Sequence, residues 1–137
     1  MTIAAHPLVS GTASGTVLKL AEPLSLWGGL EPTTGEITDR RHPQSGQIVT
    51  GRILIMPSGR GSSSASSILL EAVRLHTTPA AIITAEVDGI LALGVVVARE
   101  LYDSAPPLLV VSVDDYARLS DGQQLNISAD GCIEFQR

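Results

Sequence analysis

The stretch with the most chemical potential is Pro57-Ser58-Gly59-Arg60-Gly61-Ser62-Ser63-Ser64-Ala65-Ser66-Ser67. It lies between an apolar run ending at Met56 and a segment whose Ile68, Leu69, Ala72, Val73 and Leu75 recur near helical spacing. A helix N-terminus offers unpaired N–H groups and the positive end of its dipole. Gly59 and Gly61 let the backbone approach a ligand closely and take positive φ. Arg60 adds a fixed cation whose planar fork matches a carboxylate or phosphate. Together these features predict an anion site. A serine hydroxyl can act as a base only where N–H donors and a guanidinium stabilise its alkoxide, and Ser62, directly after Gly61, has the best position for that. The competing reading is a plain capped turn, since serine at a helix start is often only an N-cap. A flexible Ser/Gly linker fits poorly, because the run is bracketed by an apolar strand and an amphipathic helix.

Of two nucleotide-binding patterns, one is weak here and the other is absent. Gly59-x-Gly61 between strand and helix, with Glu86 after the next strand, imitates a dinucleotide fingerprint. The third small position is Ser64, Arg60 would crowd the pyrophosphate turn, and too little chain remains for a full dinucleotide fold. The phosphate loop ending in Gly-Lys-Ser/Thr is absent.

The second conspicuous segment is 22–46, which has no clear period and contains Pro23, Pro32 and Pro43 with Gly28, Gly29, Gly35 and Gly46. Loops of this length are uncommon in small domains and are usually functional or disordered. Leu24, Leu26, Trp27 and Leu30 argue against solvated disorder. The segment is either a loop folded back on the core with Trp27 as its anchor, or a docking surface or pocket wall. The residues singled out for the second role are Leu26, Trp27, Gly28, Gly29, Asp39 and His42. No metal site is expected: His6, His42 and His76 are scattered without ligand spacing. With Cys132 the single cysteine, the chain cannot supply an iron–sulfur ligand set, so a partner would have to hold most of any cluster. Cys132 itself reads as a small buried hydrophobe in a late strand.

The elements that must position these residues follow from the apolar pattern. Strands are expected at Val17–Leu20, Gln47–Met56, Ala80–Thr84 and Leu108–Ser112. Helices are expected from about Ser62 to His76, stopped by Pro79, and from a cap at Asp88 to Tyr102. Asp114–Leu119 reads as a short helical turn, and 124–128 with 132–135 as a closing hairpin. Non-alternating runs such as Leu108–Val111 suit strands buried on both faces. The predicted fold class is α/β: a parallel βαβαβ core with flanking antiparallel strands, in a β/β/α domain occupying residues 1–137 as one unit.

Composition narrows the function. At 44% hydrophobic and 17% charged residues the chain is not disordered or polyelectrolytic. A net charge of -5 and 3% aromatics argue against nucleic-acid binding, which needs clustered cations or stacking platforms. The most apolar region, 80–98, is interrupted by Glu86 and Asp88 and is too short to span a bilayer. The first residues lack the pattern of a signal peptide, and one cysteine excludes an internal disulfide, so a cytoplasmic location is expected.

The order Pro23-Leu24-Ser25-x-Trp27-Gly28-Gly29, Pro32-x-Thr34-Gly35, Asp39, Gly59-Arg60-Gly61-Ser62, Ala80-Ala81-Ile82-Ile83 and Glu86 resembles the small subunit of aconitase X. This is the swivel-domain partner in a divergent branch of the aconitase superfamily. The resemblance spans essentially residues 8–136. It implies a swivelling β/β/α domain and hydro-lyase (dehydratase) activity, exerted only as a heterodimer with a large subunit that carries the iron–sulfur cluster and most substrate contacts. None of the cluster would be bound by this chain alone. The family's catalytic serine follows the Gly-basic-Gly turn and maps onto Ser62 as proton acceptor, with Arg60, Gly61, Ser63 and Ser64 as substrate-binding companions. The family includes cis-3-hydroxy-L-proline dehydratases and phosphomevalonate dehydratases. An aromatic often stands where this chain has Leu26, which leaves substrate preference open. The expectation taken forward is cis-3-hydroxy-L-proline, the alternatives being phosphomevalonate or a stand-alone anion-binding module.

Overall fold

The structure, a computed structural model, describes residues 1–59 and 64–136. In chain order the strands are β1 (Thr2–Ala4), β2 (His6–Val9), β3 (Ala13–Lys19), β4 (Leu30–Glu31), β5 (Glu36–Ile37), β6 (Ile53–Met56), β7 (Ala81–Thr84), β8 (Leu108–Val110), β9 (Gln124–Ile127) and β10 (Cys132–Phe135). The segment labelled α1 (Leu26–Gly29) is a single turn whose Trp27 and Gly28 leave helical angles, and the helices are α2 (Ala65–Arg74), α3 (Gly89–Tyr102) and α4 (Val113–Arg118).

The parallel core is β3-β6-β7-β8, with α2 and α3 as the crossovers. β6 and β7 are buried at every position, which is why their sequences do not alternate. Leu54, Met56 and Ile82 face one apolar layer together with Leu69, Leu91 and Val95 of the two helices. Ile53, Ile55 and Ile83 face a second layer with Leu119, Leu125, Ile127 and Ile133. That second layer is closed by β9 and β10, which continue the sheet antiparallel from β3, and by the α4 region. The result is a β/β/α arrangement, as the sequence pattern predicts.

The eight-stranded order is β1-β10-β9-β3-β6-β7-β8-β2. β1 and β2 sit at opposite ends of that order, yet only Ala5 separates them in the chain. The sheet must therefore curl until its two edges meet, with residues 2–9 as the seam.

Local chemistry sets the helix ends. Asp88 caps α3 by accepting from the N–H groups of Ile90 and Leu91. At its other end Asp103 adopts φ 57° and donates its N–H to Arg99 O. Ser112 Oγ accepts from Asp115 N–H, while Asp114 and Asp115 in the first turn of α4 and Arg118 in the last suit its dipole. α2 and α3 cross closely at Gly94, where an added Cβ would lie 3.1 Å from Ser66 Cα.

The boundaries compare with the sequence reading as follows in three places. The strand expected from Gln47 begins only at Ile53, because Gly51 takes φ +73° and Arg52 N–H turns back to Val49 O. The helix expected from about Ser62 to His76 is Ala65–Arg74 among the described residues. Segment 22–46 is more ordered than its irregular pattern suggests: β4 and β5 pair within it, and Leu24, Leu26, Leu30 and Ile37 are buried in the helix-side core.

Candidate functional site

The four parallel strands all end on one side of the molecule, the edge where open α/β sheets bind ligands. From β3 the chain leads to Leu24 and α1, from β6 to the serine turn, from β7 to the cap of α3, and from β8 to α4. Backbone bonds join these exits. Leu24 forms a parallel bridge with Gly59. Ala85 N–H donates to Pro57 O at 3.1 Å, and Val111 N–H donates to Thr84 O at 3.0 Å. The buried Thr84 hydroxyl is satisfied by donating to Glu86 O at 2.6 Å. The apolar loop and the mouth of the serine turn are thus held side by side, although more than 30 residues separate Leu24 from Gly59.

Arg60, Gly61, Ser62 and Ser63 lie outside the described residues, so the roles expected of them are carried forward as expectations. Both flanks of the turn are placed. Gly59 is half-buried, and Ser64 precedes α2 as its half-buried N-cap residue in a right-handed helical conformation. No hydrogen bond from the Ser64 side chain caps the helix; its carbonyl instead accepts from Ser67 and Ile68.

The six loop residues separate into two groups. Trp27 (φ −69°, ψ 115°) and Gly28 (φ 76°, ψ −11°) have the central angles of a type II turn, which requires positive φ at its third residue. Gly28 supplies it, and Trp27 is presented outward with 58% of its surface exposed. Trp27 is therefore not the anchor of the loop; Leu24, Leu26 and Leu30 are. Trp27 and Gly28 line an open cleft of about 400 Å³ with Leu30, Glu31, Pro32, Thr38 and Ile68 of α2. By contrast, Leu26 and Gly29 are buried, and Asp39 is half-buried, its Oδ1 accepting from Arg41 N–H. His42 is only 4% exposed. Its Nδ1 accepts from Gln44 N–H at 3.0 Å, so Nε2 carries the proton and donates to Glu22 O at 3.0 Å. That ring braces the loop and leaves no nitrogen for substrate or metal.

Several residues at this edge were not singled out from the sequence. Val87 and Val113, directly after the β7 and β8 exits, are 69% and 76% exposed. With Trp27 they place three large exposed apolar side chains after the ends of the parallel strands. Among the described residues no group of three or more His, Cys, Asp or Glu side chains could hold a metal ion. Cys132 is half-buried on β10, in the antiparallel section. No helix among the described residues is long and apolar enough to cross a membrane.

Comparison with known proteins fits this architecture. The family description of the aconitase X swivel domain matches residues 2–135. The chain is 43% identical over 128 residues to cis-3-hydroxy-L-proline dehydratase of Pseudomonas aeruginosa, covering 88% of this chain and 22% of that protein. It is 33% identical over 136 residues to the phosphomevalonate dehydratase small subunit of Methanothermobacter thermautotrophicus, covering 98% of this chain and 100% of that one. The fold matches holo-form aconitase X of Thermococcus kodakaraensis with a TM-score of 0.89 and 30% identity, covering 100% of this chain and 99% of that chain. The chain thus spans about a fifth of the length of the hydroxyproline dehydratases it matches, and the full length of the small subunit. The likeness extends from the first strand to the last, through the turn, the loop and the parallel core alike, and the chain belongs to the aconitase X swivel-domain family.

Proposed function

We propose that this chain is the swivel part of an aconitase-X-type dehydratase, working in the cytoplasm with a large chain, separate or fused, as a hydro-lyase on a small hydroxy acid. Ser62 is the proton acceptor. It takes a proton from the carbon beside the substrate's anionic group while the hydroxyl leaves from the adjacent carbon. Arg60, Gly61, Ser63 and Ser64 hold anionic oxygens, through the guanidinium and through backbone N–H groups near the start of α2. The observation that supports this reading is the Leu24–Gly59 bridge, which joins the apolar loop to the residue preceding Arg60 on the side where the parallel strands end.

The family's iron–sulfur cluster does not fit this chain's own residues: it has one cysteine, and no metal-ligand group forms among the described residues. The reading assigns the cluster to the large chain. Trp27, Val87 and Val113 suit the face that meets that chain, because each is apolar, exposed and follows the end of a parallel strand.

The preferred substrate is cis-3-hydroxy-L-proline, supported by the 43% identity to a dehydratase of that name. Phosphomevalonate is the second reading, supported by the match to a small subunit over its whole length. The test is turnover of the complex with its large chain on each compound, with Ser62→Ala alongside. An assembled Ser62→Ala complex with full turnover refutes the base assignment. Binding of carboxylate or phosphate by the isolated chain, with no dehydratase activity in the complex, would favour a stand-alone anion module.

A further inference from the structure

The two carboxylate oxygens of Asp88 do different work. Oδ1 accepts from Ile90 N–H at 3.0 Å and from Leu91 N–H at 3.1 Å, capping α3. Oδ2 lies against Gly59, where an added Cβ would collide with it. Gly59 therefore has no side chain because a carboxylate oxygen fills that volume. Its Cα–H on that side points at Oδ2, a weak contact strengthened by the acceptor's charge. The surroundings hold both partners in place. Leu91 Cδ1 lies 3.6 Å from the same Cβ position, Ala85 is bonded to Pro57 O, and Gly59 is bridged to Leu24. One half-buried side chain thus ties the N-terminus of α3 to the first residue of the serine turn.

We infer that Asp88 is a positioning residue for Gly59: its carboxylate fixes Gly59 against the N-terminus of α3, at the point where the chain enters the segment whose sequence carries Arg60 and Ser62. The activity arm of its test rests on the proposed dehydratase reading; the exchange arm does not.

The contact can be separated from the cap. In Asp88→Asn one oxygen still caps α3, since Asn caps as well as Asp, but an amide NH2 replaces the acceptor facing Gly59. Asp88→Ser keeps a cap oxygen and empties the space. Gly59→Ala attacks the contact from the other side. These variants and the Gly59→Ala/Asp88→Ser double variant are measured in the complex with the large chain for Tm, kcat and KM.

Asp88→Asn is expected to keep Tm within about 2 °C. Its kcat is expected to fall about 10- to 100-fold, as a misplaced catalytic group would produce, with KM changed less than about threefold. Gly59→Ala should lose both Tm and kcat, and the double variant should recover Tm without kcat. Wild-type kcat in Asp88→Asn, or recovery of both quantities in the double variant, reduces Asp88 to a helix cap and overturns the inference. Independently, amide hydrogen exchange of residues 59–64 in the chain itself should quicken in Asp88→Asn while that of α3 is unchanged; an unaltered rate at 59–64 overturns the inference too. Ser62→Ala run alongside keeps the failures apart. Full turnover there removes the base assignment, whereas the Asp88 result is read from its own kcat and from exchange.

Discussion

Gly94 is where the two crossover helices touch, and enlarging it tests whether α2 is held at a fixed height over the sheet. A Cβ built at Gly94 lies 3.1 Å from Ser66 Cα, 3.2 Å from Ser66 Cβ and 3.3 Å from Leu69 Cδ2. One of these is backbone, so α2 itself must shift by a few tenths of an ångström. For Gly94→Ala the helix-propensity gain of about 1 kcal/mol opposes that crowding, and the two nearly cancel. Gly94→Val adds two further methyl groups in the same gap, where overpacking costs about 1–3 kcal/mol. An unfolding entropy near 2.1 cal/mol/K per residue over 137 residues gives about 290 cal/mol/K. A loss of about 2 kcal/mol therefore lowers Tm by about 7 °C. The assay is thermal unfolding followed by circular dichroism. Leu93→Ala on the same helix is the control, because Leu93 is 59% exposed and should move Tm by less than about 2 °C. Ser66 lies in the first turn of α2, so Gly94→Val should also impair the serine turn more than its effect on stability implies. A Gly94→Val protein with unchanged Tm would refute the close crossing.

Three further outcomes are expected. Gly28→Ala should cost about 1–2 kcal/mol from the left-handed backbone alone, because a Cβ there meets no atom within 4 Å; an unchanged Tm would sink the type II turn. Asp103→Gly should stabilise by about 0.5–1 kcal/mol, since Asp103 holds φ 57° at the end of α3 where glycine is favoured, and a fall in Tm would contradict that. The Tyr116 hydroxyl is buried with no partner among the described residues, and burial holds its pKa above the usual tyrosine value. Its contribution to stability is thus complete below about pH 10 and declines as pH rises through the folded pKa. Tyr116→Phe should equal or exceed wild type in Tm at neutral pH and lack that alkaline component; a lower Tm at pH 7 would refute the unpartnered hydroxyl.

The central strands and α3 were legible because their signals are local. Ile53–Met56, Ala81–Thr84 and Leu108–Val110 are unbroken apolar runs, and Asp88 is a good cap ahead of a long helical pattern. β1 and β2 gave no such signal. They are three and four residues long, β2 contains Pro7, and their partners β10 and β8 lie about 100 or more residues downstream. For Trp27 the sequence left anchor and pocket wall both open, because its bulk suits either; Gly28 forms a turn that points it outward. The Gly59–Asp88 contact follows from register. Met56 pairs with Thr84 across β6 and β7, so residues three and four further on leave the sheet side by side. The parallel order was legible, but the Met56–Thr84 register that makes the pair was not, because sequence spacing alone does not carry it.

The seam made by residues 2–9 limits how this domain can join anything else. Its first half zips onto β10 and its second half onto β8, so the terminal ladders of the sheet are already occupied by the chain itself. Among the described residues of this sheet, what remains open is two ribbons of three and four residues, one interrupted by Pro7, which has no N–H to donate, and both too short to recruit a strand readily. Docking by strand addition to this sheet is thereby disfavoured, which favours grips on the exit loops or the outer helix faces. A domain gripped only there can pivot as a rigid body without tearing main-chain hydrogen bonds across the junction.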